Sequence, residues 1–298
     1  MKSNKLFLII IIFWCTNLRA QKDVSIEEQL IQTTCLINSI NTKDSTTSFG
    51  TGFFYQDSLL LPSKILLITN KHVVKNNDVG IILFNQIDKS GNIYGNKVDV
   101  MIKKFNEQWK MHPNPNIDLC FMDITPLLNY YKSKGFNLFT RTLSNTLIPS
   151  DSLWNRLTVL EEVIMIGYPN GLIENKNNIP IIRTGVTATP PKLDYNGKKE
   201  FLVDIAAFPG SSGSPLIIKR TPFGTRSVKN GVSFGIFPEY YFSGILYAGP
   251  TYVAETKKLD FISIEELSEK TKLQTNIMLN LGNIIKSTEI AEMIKYYK

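Results

Sequence analysis

The hexapeptide Gly210-Ser211-Ser212-Gly213-Ser214-Pro215 places a serine between two glycines in the second half of the 298-residue chain. Glycine permits tight turns in which backbone N–H groups converge on one point, and such a point can stabilise a developing oxyanion. A flexible loop could have the same composition. This hexapeptide alone therefore leaves a catalytic serine and a simple connection as alternatives.

Two upstream segments favour the catalytic interpretation. His72 follows the apolar run 65–69, and Asp118 precedes the apolar run 119–122. The chain has two histidines, and the other, His112, lies in a proline-rich loop that we expect at the surface. Neither histidine has the spacing to further ligands that a zinc site uses. We therefore expect nucleophilic catalysis with no metal and no cofactor.

These segments resemble the motifs of the trypsin-like (chymotrypsin-fold) serine peptidases, most closely the bacterial Deg/high-temperature-requirement and glutamyl endopeptidase branches. Thr-Asn-Lys-His-Val-Val at 69–74 is similar to the family's histidine motif, Asp118-Leu119 to its aspartate motif, and 210–215 to its serine motif. The order along the chain is the family's. Residues 50–53, 163–171 and 244–249 are similar to three further family segments, so the resemblance spans roughly 30–258.

The resemblance implies a catalytic triad of His72, Asp118 and Ser212. Ser212 would attack the scissile carbonyl, His72 would accept and return the proton, and Asp118 would orient the imidazole. The N–H groups of Gly210 and Ser212 would form the oxyanion hole. Ser211 stands where many animal members carry an aspartate that captures a freed N-terminus, so we expect activity without zymogen cleavage.

The resemblance also indicates where substrate would bind. Strand residues 246–249 would pair with an extended polypeptide, and the specificity pocket would have its base near Ala206 and Ala207. Leu246 stands where the glutamyl-specific branch has a histidine, so we expect a small or medium apolar residue before the cleaved bond. The full set of expected substrate-binding residues is Ala206, Ala207, Leu246, Tyr247, Ala248 and Gly249.

Short apolar runs separated by turn residues predict an all-β fold, which the resemblance specifies as two antiparallel six-stranded β-barrels. The local sequence pattern adds a C-terminal helical tail. The predicted strands are 35–40, 52–55, 65–69, 79–85, 119–124, 163–167, 181–189, 201–205, 215–218 and 242–248. The expected domains are a signal peptide (1–20), an N-terminal barrel (21–135), a linker and C-terminal barrel (136–258), and the tail (259–298). Asn196-Gly197 predicts a hairpin turn.

The tail has a helical pattern. Ser263 to Glu266 matches a capping box, and Leu267, Ile277 and Met278 would form an apolar face. Gly282 would end this helix, and 287–297 would form another. We expect no PDZ-type peptide-binding domain of the kind that follows the peptidase in the Deg branch, since such a domain needs roughly 90 residues.

The first twenty residues predict export. Lys2 and Lys5 precede an apolar run at 6–15, and the small residue Ala20 follows. We expect cleavage there and a secreted or periplasmic protein, with an uncleaved membrane anchor as the alternative. Of the two cysteines beyond this segment, Cys35 and Cys120, either a disulfide or two buried thiols would be consistent with the sequence.

Composition and charge exclude other classes. Hydrophobic residues make up 43% of the chain and charged residues 20%, as in folded globular proteins. The net charge of +7 includes three cations in the export segment, so the remainder is too weakly basic to predict nucleic-acid binding. The leading hypothesis is a serine endopeptidase acting on polypeptides. A catalytically silent peptide-binding or chaperone-like module is the alternative, and an esterase is disfavoured because its histidine would come last.

Overall fold

The structure is a computed structural model that describes residues 24–57, 64–228, 231–257 and 272–297. The described residues are predominantly β-strands with short helices. The strands are β1 (Thr34–Asn41), β2 (Thr46–Gln56), β3 (Leu66–Thr69), β4 (Val79–Gln86), β5 (Lys97–Lys103), β6 (Lys110–Met111), β7 (Cys120–Asp123), β8 (Leu138–Phe139), β9 (Leu143–Ser144), β10 (Glu162–Gly167), β11 (Ile181–Thr187), β12 (Glu200–Asp204), β13 (Pro215–Arg220), β14 (Phe223–Val228), β15 (Gly231–Ile236), β16 (Glu239–Ala248), β17 (Thr251–Lys257), β18 (Lys272–Met278) and β19 (Leu281–Lys286). The α-helices are α1 (Ile26–Leu30), α2 (Lys71–Val74), α3 (Thr125–Ser133), α4 (Asp151–Trp154) and α5 (Thr288–Tyr296).

The first half of the chain forms an open sheet. Its order is β5-β4-β1-β2-β3-β7-β6, with β8 on β4 and β9 parallel to β2. The expected closed six-stranded barrel is therefore an open nine-stranded sheet here. Its edge strands β5 and β6 are consecutive in the described chain but do not pair. Between them lies the 3₁₀ turn Phe105–Gln108, whose Phe105 is buried in the core of this sheet.

The second half forms a closed barrel in the order β10-β11-β12-β19-β16-β13. The predicted all-β fold class is thus confirmed, with one closed barrel and one open sheet. The sixth barrel strand, β19, inserts between β12 and β16, although it lies beyond residue 258, where the sequence predicted that the barrel would end. The pairs β14–β15 and β17–β18 each form a separate two-stranded sheet.

The helical prediction for the tail is partly wrong. Residues 272–278 and 281–286 are strands, because β18 pairs with β17 and β19 completes the barrel. The predicted capping box and Leu267 lie outside the described residues. The second predicted helix is confirmed as α5, which buries Ile290, Met293 and Ile294. Asn196 and Gly197 do turn with positive φ, but within the longer connection 188–199 between β11 and β12.

Three apolar clusters form the core. One fills the first sheet, a second fills the barrel, and the third lies between the two halves. The third cluster joins Phe53 and Ile68 of the first sheet to Ile166 and Ile245 of the barrel, and α5 packs into it. The strands β3, β7 and β13 contribute to this shared core, and they adjoin the segments that carry His72, Asp118 and Ser212. Across the described part of the chain, every helix falls short of the length and apolarity that a membrane span requires.

Candidate active site

His72 and Asp118 form a tight pair in the first half. His72 lies on the single-turn helix α2 directly after β3, and Asp118 lies just before β7, which pairs with β3. The His72 ring Nδ1 is 2.5 Å from Asp118 Oδ2. The His72 backbone N–H also donates to Asp118 Oδ1 at 3.2 Å. The carboxylate therefore fixes both the ring and the backbone of His72. Because the carboxylate contacts Nδ1, the other ring nitrogen, Nε2, can face other groups.

Asn70 locks the two strand ends together. Its side chain is fully buried and donates from Nδ2 to the Asp118 carbonyl at 2.7 Å. Lys71 Nζ donates to the carbonyls of His112 and Asn114 at 3.1 and 3.0 Å, which fixes the loop leading to Asp118. Sequence reasoning quoted Asn70 and Lys71 within the histidine motif but missed these positioning contacts.

The serine segment is a tight turn that requires its glycines. Gly210 and Gly213 have φ values of +83° and +87°. A Cβ on Gly213 would lie 1.9 Å from the Thr51 carbonyl oxygen, so no side chain fits there. Gly213 N–H donates to the Leu246 carbonyl at 2.8 Å, and Leu246 N–H donates to the Ser214 carbonyl at 3.0 Å. The turn is therefore fixed to the end of β16.

Thr51 of β2 connects the serine segment to the first half. Its backbone N–H donates to the Ser212 carbonyl at 2.8 Å, and its hydroxyl donates to the Gly210 carbonyl at 3.0 Å. The same hydroxyl accepts from Tyr168 N–H at 3.1 Å and lies 3.3 Å from Ser214 Oγ. The sequence highlighted Thr51 only as part of a similar segment, because its partners are distant along the chain.

Two backbone donors of the serine segment lack a partner within the described part of the chain. Among the described residues, the N–H groups of Gly210 and Ser212 donate to no backbone or side-chain acceptor. The Pro209 carbonyl accepts from Asn170 N–H at 2.6 Å. Because the N–H of a trans peptide points opposite to its C=O, the Gly210 N–H points away from Asn170. The two N–H groups predicted to bind an oxyanion are thus available to an incoming acceptor.

A cavity of about 90 Å³ adjoins the half-buried Ser212. Four of the six expected substrate-binding residues line it: Ala207, Leu246, Ala248 and Gly249. Phe208 and Pro209 also line it and were missed by sequence reasoning. Ala206 and Tyr247 are not among its lining residues. The Ala206 carbonyl instead accepts from Arg183, and the Tyr247 hydroxyl donates to Glu200 at 2.9 Å.

One edge of β16 is available beside this cavity. β13 pairs with β16 only as far as Ile245, opposite Pro215. Beyond it, Leu246 bonds to the serine segment, and a bulge between Leu246 and Ala248 interrupts pairing with β19 on the other edge. The backbone at 247–249 thus lacks a β13 partner. An extended peptide can add at such an edge through main-chain hydrogen bonds.

The expectation that His112 lies at the surface is wrong. The residue is 5% exposed, and its Nδ1 accepts from Asn114 N–H at 3.1 Å. Its Nε2 is 3.6 Å from a carboxylate oxygen of Glu289, on α5. Burial lowers the pKa of His112. The helix that covers this histidine comes from the far end of the chain, so the local proline-rich sequence carried no signal of burial.

Cys35 and Cys120 are buried free thiols. Burial raises the pKa of both, which keeps them protonated and unreactive as nucleophiles. Cys120 Sγ lies 3.6 Å from the Thr69 carbonyl oxygen within the core of the first sheet. Of the two alternatives that the sequence left open, the structure has the pair of buried thiols.

Comparison with known proteins identifies one family. A family model described as the trypsin-like peptidase domain matches residues 50–221, which include His72, Asp118 and Ser212. No curated protein matches the chain. Among solved structures, the crystal structure of the active form of the Rv3671c protease from M. tuberculosis is similar, with 14% identity and a TM-score of 0.45. The match covers 91% of this chain and 83% of that one.

Proposed function

Because this chain belongs to the trypsin-like peptidase domain family, we propose that it is a serine endopeptidase that uses Ser212, His72 and Asp118. The observation that carries this proposal is the 2.5 Å contact between His72 Nδ1 and the Asp118 carboxylate. A histidine held in this way presents Nε2 as a general base. Ser212, beside the cavity and the two unpartnered N–H groups, is the nucleophile in this proposal.

The reaction proceeds in two steps. Ser212 Oγ attacks the carbonyl carbon of the scissile bond while its proton passes to His72 Nε2. His72 then gives that proton to the leaving amine as the C–N bond breaks, which leaves an acyl ester on Ser212. Water then attacks the ester carbon while its proton passes to His72, and His72 gives that proton to Ser212 Oγ as the acyl C–O bond breaks, which releases the carboxylic acid and regenerates the serine. Asp118 stabilises the imidazolium formed in both steps.

The oxyanion of each tetrahedral intermediate binds the N–H groups of Gly210 and Ser212. Asn170 supports this role, since its N–H holds the Pro209 carbonyl at 2.6 Å on the opposite side of the peptide. Donors that are fixed before the reaction stabilise charge without reorganising. Losing one such donor typically reduces turnover by roughly 10²–10³-fold.

The substrate is an extended polypeptide that pairs with the backbone of 247–249. The lining of the cavity beside Ser212 is apolar and includes Ala207, Leu246 and Phe208. A small or medium apolar side chain therefore fits before the cleaved bond, and the preference would follow the fit and desolvation of that side chain. The cavity lining contains no acidic residue that would select lysine or arginine.

We further propose that the protein acts outside the cytoplasm. The support is the sequence of residues 1–20, with Lys2 and Lys5 before an apolar run and Ala20 at its end. Cleavage after Ala20 would give a secreted or periplasmic enzyme, and an uncleaved segment would give an anchored one. Mass spectrometry of the protein exported by a bacterial host distinguishes these forms by the presence of residues 1–20.

Labelling with a fluorophosphonate tests the catalytic proposal. The full chain should be labelled at Ser212, and the variants Ser212→Ala and His72→Ala should lose labelling while keeping the wild-type circular dichroism spectrum. Ser90→Ala, which removes an exposed hydroxyl distant in sequence, is the matched control and should be labelled normally. A folded wild-type chain that is not labelled would contradict the proposal and favour a catalytically silent peptide-binding module.

A further inference from the structure

Arg183 reaches the serine segment from inside the barrel. It lies on β11 opposite Met165 of β10, a buried residue of the barrel core, so its side chain shares that inner face. Its guanidinium donates from Nη1 to the Ala206 carbonyl and from Nη2 to Ser211 Oγ, the latter at 2.6 Å. The guanidinium carbon also lies 5.9 Å from the centre of the Phe208 ring.

These contacts join both ends of one short segment. Residues 206–211 carry the cavity residues Ala207, Phe208 and Pro209 and lead directly into Ser212. Ser211 is fully buried between Gly210 and Ser212, whose N–H groups are the proposed oxyanion donors. Restraining the Ser211 hydroxyl therefore restrains both donors, one on each side of it. The planar guanidinium suits this task because its N–H groups have a fixed geometry.

The charge of Arg183 is uncompensated in the described residues. No Asp or Glu in this part of the chain forms an ion pair with it, and its Nε is buried without a hydrogen-bond partner. Burial lowers the pKa of Arg183. Arg183 as a whole is partly exposed, and the desolvation of a cation that has no counter-ion opposes folding. The hydrogen bonds to the serine segment act against this cost and order that segment.

We propose that Arg183 is a positioning residue that holds residues 206–211 in the conformation that binds the oxyanion. This inference rests on the proposed peptidase function. Arg183 works with two anchors on the same segment: Asn170 N–H on the Pro209 carbonyl and the Thr51 hydroxyl on the Gly210 carbonyl. The cation belongs to the chain itself, so the segment is set without cleavage of a peptide bond.

The rate of fluorophosphonate labelling of the full chain tests this role. Arg183→Met keeps a long unbranched side chain without the hydrogen bonds, and it should slow labelling by roughly 10²-fold, as when an oxyanion donor is lost. Its melting temperature should stay close to that of the wild type, since removal of a desolvated charge offsets the hydrogen bonds lost at Ala206 and Ser211. Arg156→Met removes an exposed arginine that bonds only to the Ser152 carbonyl in the described structure, and it should be labelled at the wild-type rate.

Chemical rescue separates positioning from a general structural role. Millimolar guanidinium should restore labelling of Arg183→Ala but should restore none in Arg183→Ala/Ser212→Ala. Labelling of Arg183→Met at the wild-type rate would overturn the inference. So would slow labelling that guanidinium fails to rescue and that a lower melting temperature accompanies.

Hydrogen exchange provides a readout that needs no activity. Amides of 206–213 should exchange faster in Arg183→Met than in the wild type, while those of β3 and β7 stay unchanged. If the wild type is not labelled, the peptidase proposal fails and this exchange measurement still decides the role of Arg183. Unchanged exchange at 206–213 would refute that role.

Discussion

The hydroxyl of Thr51 is the point at which the two halves of the chain share the proposed active site. It contacts the Gly210 carbonyl, Tyr168 N–H and Ser214 Oγ, all in the second half, while its own strand β2 belongs to the first. Thr51 itself is fully buried. Loss of the Thr51 hydroxyl would leave buried polar groups unpaired and would release the carbonyl of Gly210. Removing this hydroxyl should therefore reduce the reactivity of the proposed active site more than the stability of the fold.

Thr51→Val should therefore reduce fluorophosphonate labelling by roughly 10-fold or more, because it frees one anchor of an oxyanion donor. The free energy of unfolding should fall by about 1–3 kcal/mol for the unpaired groups. Thr187→Val is the matched control: Thr187 is equally buried and hydrogen-bonded, to Glu161 N–H and the Thr158 carbonyl. It should lose similar stability in urea denaturation yet be labelled at the wild-type rate. Equal labelling of the two variants would contradict this prediction.

Gly213 and Gly197 should respond differently to the same substitution. Both have positive φ, +87° and +75°, but a Cβ on Gly213 would lie 2.5 Å from Thr69 Oγ1, whereas a Cβ on Gly197 meets nothing within 4 Å. Gly197→Ala should cost about 1 kcal/mol for its backbone conformation alone. Gly213→Ala should abolish labelling and lower the melting temperature much further. Thermal unfolding and labelling of both variants check this, and an active Gly213→Ala enzyme would contradict it.

Sequence motifs predicted the residues proposed for chemistry better than the residues that hold them. His72, Asp118 and Ser212 lie in local patterns, and the structure brings His72 and Asp118 into contact. Arg183 and Thr51 could not be predicted in the same way. Thr51 is 159 positions from Gly210, and Arg183 is 28 from Ser211, so only the folded arrangement of the strands makes them neighbours.

At the scale of elements, the tail shows why local pattern was insufficient. The helix predicted to end at Gly282 is replaced by β18 and β19 in the described residues. β19 is a strand because Leu281 to Ile285 pairs with β12, far upstream, and this non-local pairing overrides helical propensity. Gly282 permits close packing, since a Cβ there would lie 2.7 Å from a terminal methyl carbon of Leu246 and would require that side chain to shift. The apolar face of α5, by contrast, was readable from its own residues.

The docking of α5 should make stability depend on pH. Burial, with a smaller effect of the Lys71 charge, lowers the pKa of His112 in the folded state below its ordinary value of 6.5. As the pH falls below 6.5, His112 is therefore protonated more readily in the unfolded chain than in the folded one. The His112 contribution to stability is therefore intact above pH 6.5 and falls as the pH decreases below it. His112→Asn keeps an acceptor for Asn114 N–H and should remove this dependence in melting curves recorded from pH 7.5 to 5.

Glu289 provides a control of opposite sign on the same helix. Burial raises the pKa of Glu289 above 4.5. The contribution of Glu289 to the stability of the fold is therefore present at low pH and falls as the pH rises through the raised pKa. Glu289→Gln should therefore gain stability relative to the wild type as the pH rises from about 4.5 upward. If both variants follow the wild-type pH profile, the pair does not govern the docking of α5.

At the scale of the whole molecule, the core between the halves should make them unfold together. Phe53 and Ile166, from opposite halves, belong to one buried cluster, and the serine segment also joins both halves through Thr51. Trp109 lies in the core of the first sheet and Trp154 in that of the barrel, so each reports on one half.

Ile218→Ala removes buried volume from the barrel core alone, which should lower the melting temperature by roughly 10 °C. In backgrounds that retain only one of these tryptophans, both fluorescence transitions should shift by the same amount and coincide with circular dichroism. A Trp109 transition that stays in place would show that the first sheet unfolds independently. The proposed site, with Thr51 on one half and Ser212 on the other, would then be lost when the barrel unfolds, while the first sheet is still folded.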